Sequence, residues 1–76
     1  MPNITPIKKK KFIRFLEFVG CQQVRTKGDH IIFQKAGLER PVVIVDDKEI
    51  SPFIIRSNLR TLNISGEEYI EILKRL

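Results

Sequence analysis

His30 is the only histidine in the chain, and imidazole is the side chain best suited to take up and release a proton near neutral pH. It follows Lys27-Gly28-Asp29, a turn-forming run, and opens an alternating segment in which Ile31 and Phe33 share one face. Counting by twos therefore turns His30 and Ile32 to the other face. A solvated imidazole beside Lys27, free to exchange protons with a ligand, is one reading. The same residue also reads as an ordinary strand-end histidine, and spacing alone does not separate the two. Other chemistries have less to stand on. Cys21 is a lone cysteine, so neither an intrachain disulfide nor a Cys/His zinc cluster can form. Asp46, Asp47 and Glu49 could hold Mg²⁺ through one or two carboxylates. Three acids between a strand and a helix more often make a solvated loop and complement the N-terminus of the helix that follows. No metal and no cofactor is expected.

These residues need elements to hold them. Thr5-Pro6 reads as an N-cap with proline at the first helical position. Phe12, Phe15, Leu16 and Val19 then recur at 0, 3, 4 and 7, on one helical face, with Lys10, Lys11, Arg14 and Glu17 opposite. Gly20 suits the left-handed residue that ends such a helix. Cys21 to Arg25 and Ile31 to Phe33 predict two strands, joined as a hairpin through Gly28-Asp29. Val42-Val43-Ile44-Val45 is a third strand, apolar on both faces, and its outer positions stay exposed unless a partner covers them. Ser51-Pro52 starts a second helix carrying Ile55, Leu59 and Leu62, stopped near Asn63. Ser65-Gly66-Glu67-Glu68 matches a capping box, each end satisfying a backbone N–H of the other, ahead of Tyr69, Ile70, Leu73 and Leu76. The order is α-β-β-β-α-α, an α+β class with a three-stranded antiparallel sheet and helices on one face.

With 76 residues there is room for a single domain, residues 1–76, burying only about 60% of its unfolded surface. Hydrophobic residues at 42% and charged ones at 30% place it among folded proteins rather than disordered ones. The net charge of +5 is concentrated at the front: residues 1–35 hold eight Lys or Arg against two acids, residues 36–76 six against seven. Such asymmetry attracts polyanions, nucleic acid above all. No stretch approaches the ~18 apolar residues of a membrane span, and Lys8–Lys11 lead into no signal-peptide core. The cytoplasm is the expected compartment, without membrane partners. Four successive lysines on a helix point in four directions, so Lys8–Lys11 read equally as RNA contacts or as a solvated face.

Val24-Arg25-Thr26-Lys27-Gly28-Asp29-His30, entered from Phe18-Val19-Gly20, resembles the first helix, first strand and histidine-bearing hairpin of the HicA family. Asn58 through Tyr69 is similar to its C-terminal helices, so the likeness covers roughly residues 5 to 73. Asp29 stands where many relatives carry serine, Cys21 where an aromatic is common, and Asp46-Asp47 where many have a histidine or other basic residue. The resemblance implies a double-stranded-RNA-binding-domain-like fold and a toxin endoribonuclease, an mRNA interferase that cleaves RNA through a single histidine and is held inactive by a HicB antitoxin. Carried onto this chain, it makes His30 the catalytic residue and Gly28 and Asp29 its supporting turn. Arg25, Lys27, Lys35, Lys10 and Lys11 are the candidates for RNA contact. The expected mechanism is metal-independent. The alternative from another class is a non-catalytic RNA-binding module of the same fold, which needs the basic surface but has no use for a solvated imidazole. A plain protein-interaction domain would explain the apolar sheet face but not the charge asymmetry.

Overall fold

The computed structural model describes residues 3–76. In chain order the elements are β1 (Ile7–Lys8), α1 (Lys9–Phe18), β2 (Gln22–Lys27), β3 (His30–Gln34), β4 (Val42–Val45), β5 (Glu49–Ile50), α2 (Pro52–Leu62) and α3 (Gly66–Leu73). β2, β3 and β4 form a three-stranded antiparallel sheet in that spatial order. The fold is α+β with the element order expected for the three main strands and three helices, compatible with the predicted architecture.

Alternation along the strands separates a covered face from an open one. Ile31 and Phe33 of β3 and Val42 and Ile44 of β4 are buried, in one cluster with Phe12, Phe15 and Leu16 of α1 and Ile55, Leu59 and Leu62 of α2. The intervening residues His30, Ile32, Gln34, Val43 and Val45 are exposed or half-buried. The helices thus cover one face only, and the period-2 pattern that hides four apolar side chains sends the others outward. The core is aromatic at its centre: the Phe12 and Phe15 rings lie 5.6 Å apart, and Tyr69 meets Phe15 edge-on at 4.9 Å. Among the described residues the buried Tyr69 hydroxyl has no hydrogen-bond partner, and burial pushes its pKa up to about 12.

The helix ends show which sequence signals held. α1 closes with Val19 followed by Gly20 at φ +100, where the Cys21 N–H donates to the Leu16 carbonyl and the Gly20 N–H to that of Glu17. This double closure is the Schellman arrangement that a left-handed glycine permits. At α2, the Ser51 hydroxyl accepts from the Ile54 N–H, Pro52 takes the first turn, and Asn63 ends the helix at φ 58. The start of α1 departs from expectation. Thr5-Pro6 does not open it. Ile7 and Lys8 are drawn into an antiparallel bridge with Ile50 and Glu49, and the helix begins at Lys9 with no side-chain cap. The capping box is half formed: Ser65 accepts from the Glu68 N–H at 3.0 Å, but its hydroxyl then donates to the Glu68 carboxylate.

Asn58 occupies the core stripe of α2 between Ile55 and Leu59 and is 5% exposed. Its Nδ2 donates to the Val43 carbonyl at 3.2 Å, pinning the helix to β4. A polar residue at a stripe position was the signal in the sequence, since a buried amide must find a partner.

Candidate active site

The hairpin that carries His30 is built by a two-residue loop. Lys27 pairs with His30 across Gly28-Asp29, and Gly28 alone of the two has positive φ, +60, the sign pattern of a type II′ turn. The right-handed twist of the flanking strands favours this turn type, and glycine meets its first position without a Cβ penalty. Asp29 is also tied to the third strand, because the Asp46 N–H donates to its carbonyl at 2.6 Å. The histidine therefore sits on a hairpin tip fastened on both sides, opposite Lys27 on β2 and Val45 on β4.

Residues directly opposite in an antiparallel pair share a face, with Cβ atoms about 4.5–5.5 Å apart. Lys27 thus stands beside His30 on the open face. Arg25 pairs with Ile32 and joins that face too, two residues before Lys27 in the register that the two-residue loop sets. The extra residue, Val24, is 47% exposed. That bulge shifts the pairing of Gln22 and Gln23 with Gln34 and Phe33 and leaves the register of Arg25 and Lys27 as the turn sets it, and nothing in the sequence signals it. The His30 side chain is 55% exposed, and its Nδ1 lies 3.2 Å from Asp29 Oδ1.

The other candidates distribute unevenly. Lys35 lies beyond the far end of β3, about 16 Å along the strand from His30 by a rise of roughly 3.3 Å per residue. Its stem packs near Gly20 and its charge acts on Cys21. The structure does not bring it to the imidazole. Lys10 and Lys11 are exposed in the first turn of α1. Their helix end is tethered to the histidine's end of the sheet, because Lys9 Nζ forms an ion pair with Asp46, whose N–H is bonded to Asp29. Lys9, one of the Lys8–Lys11 run, is thus an ion-pair partner, and nothing local in the sequence marks a pairing with a residue 37 positions away.

The acidic stretch is otherwise engaged. Asp46 is neutralised by Lys9, Asp47 accepts from the Lys48 N–H within its own turn, and Glu49 belongs to β5. The first turn of α2 itself holds no acid. Among the described residues no three His, Cys, Asp or Glu side chains converge as metal ligands would. Cys21 is buried, and burial pushes its thiol up, partly offset by Lys35, which leaves it a poor nucleophile.

The open face thus places an accessible imidazole beside two cations. A family model described as the HicA toxin of bacterial toxin-antitoxin matches residues 10–64. The chain belongs to the HicA family. The matched span runs from α1 to just past α2, includes the hairpin with His30, and leaves out β1 and all of α3. HicA proteins are toxins of toxin-antitoxin systems and generally ribonucleases, which implies an RNA substrate and an antitoxin partner. Searches of curated proteins and of solved structures returned no match. No helix among the described residues is long and apolar enough to cross a membrane.

Proposed function

We propose that this HicA protein, one domain over residues 1–76, is an mRNA endoribonuclease of the cytoplasm that cleaves by metal-independent transesterification with His30 as general base. The observation that carries the reading is a half-exposed imidazole on the uncovered sheet face, opposite Lys27 and near Arg25. Neutral Nε2 takes the proton of a ribose 2′-OH, the 2′-oxygen bonds to phosphorus, and the P–O5′ bond breaks. The departing 5′-oxygen takes a proton from water, and the ring returns its own to solvent. Lys27 stabilises the negative charge that builds on the phosphorane. Gly28 and Asp29 hold the ring at the hairpin tip.

Arg25 continues the basic track along β2, and Lys35 would meet phosphates further along the strand rather than the one being cleaved. Lys10 and Lys11 extend the positive field from the helix layer at the same end. The partner is a HicB-type antitoxin that masks His30, seated on the outward side chains of Val43, Val45 and Ile32. Phe18, 54% exposed, and half-buried Ile13 lie on α1 in the covered layer, so they do not form one patch with those valines.

The test is incubation of the purified chain with single-stranded RNA in excess EDTA. Cleavage at a rate independent of the chelator is expected. Binding without cleavage, with or without added Mg²⁺, would instead favour the non-catalytic RNA-binding module.

A further inference from the structure

The carboxylate of Asp29 has no local structural task that accounts for its position. Asp at a turn ordinarily caps a nearby backbone N–H, as Asp47 does for Lys48. Among the described residues Asp29 makes no such bond, and its polar neighbour is the imidazole, with Oδ1 3.2 Å from Nδ1. The other carboxylate at this end of the sheet, Asp46, is committed to Lys9. Lys27 is the cation across the strand from the ring. The Asp29 main chain is held by the Gly28 turn and by the Asp46 N–H, and its carboxylate lies at ion-pair distance from Nδ1 without a formed hydrogen bond, so the ring must turn for Nδ1–H to point at it.

Resting on the reading of His30 as general base, we propose that Asp29 is a positioning residue that keeps the ring proton on Nδ1, leaves Nε2 free for the 2′-OH, and balances the charge the ring gains. A ring with one nitrogen held as donor presents the other as acceptor, and which nitrogen does which is set by such a partner. The placement has an opposing cost. Asp29 is 73% exposed on a surface built for a polyanion, so its charge repels phosphate and weakens binding. A residue serving catalysis through the ring therefore separates the two kinetic constants in a way a turn residue does not.

The experiment uses the full chain with Asp29→Asn, which keeps a turn-forming side chain and removes the charge, and Asp29→Ala, which removes the contact. An RNA oligonucleotide is cleaved in EDTA, and the ring ¹⁵N resonances of His30 are recorded where the ring is neutral. In Asp29→Ala, kcat should fall about three- to tenfold, the scale of one exposed charge contact, while KM stays level or drops. The ring proton should move from mainly Nδ1 toward a mixture, with Asp29→Asn intermediate. Parental kcat and an unchanged ring pattern in both variants would overturn the proposal, and so would a raised KM with unchanged kcat. Either result leaves His30 as base untouched, because only the His30 variant tests that.

Discussion

His30→Ala is expected to purify as a folded protein whose RNA cleavage is reduced by about 10²- to 10⁴-fold, the range that a positioned general base contributes. The two halves of this result come from the same feature. A side chain that is 55% exposed on the open face contributes no core contact, and substitutions at such sites usually change stability by less than about 0.5 kcal/mol. Lost activity with an unchanged circular dichroism spectrum and melting transition would therefore report chemistry rather than unfolding. RNA affinity should survive, since Arg25, Lys27 and the lysines of α1 remain. Cleavage at the parental rate would remove the imidazole from the mechanism.

The second large effect lies in the core. Phe15→Ala should cost about 3–5 kcal/mol, the usual range for deleting a buried phenyl ring. Phe15 has no exposed surface, stacks on Phe12 and takes the edge of Tyr69. It therefore links α1 to α3, and a small residue there leaves a cavity between them. A domain of this size has a total stability on the order of 4–11 kcal/mol at 0.05–0.15 kcal/mol per residue, so the substitution removes from about a quarter to all of it. Urea unfolding monitored by circular dichroism measures the loss, and a shift below about 1 kcal/mol would mean that the aromatic cluster does not organise the fold.

What could be read from the sequence was what is decided locally. The 0, 3, 4, 7 spacing of Phe12, Phe15, Leu16 and Val19 identifies the buried side of α1, and Ser51-Pro52 and Gly20 mark helix ends, because caps and stripes involve residues within one or two turns. The alternation of β3 puts His30 outward for the same reason. Long-range pairings left no local trace. Ile7-Lys8 leave the helix because Glu49-Ile50, some forty residues later, offers them a bridge, and Thr5-Pro6 as a cap signal cannot register that competition. The Lys9–Asp46 ion pair and the bulge at Val24 belong to the same class. Of the candidate site, the sequence identified the histidine, its turn and its cross-strand lysine. Lys35 stands five residues beyond His30, one past the end of the same strand, so the strand rise by itself already sets it apart from the imidazole.

The most direct measurement is the chemical nature of the ends left when the parent protein cuts a defined RNA in EDTA. Attack by the neighbouring 2′-oxygen, with His30 as base, predicts 2′,3′-cyclic phosphate on one fragment and 5′-hydroxyl on the other. Fragments bearing 5′-phosphate and 3′-hydroxyl, which require water rather than the ribose to attack, would contradict it.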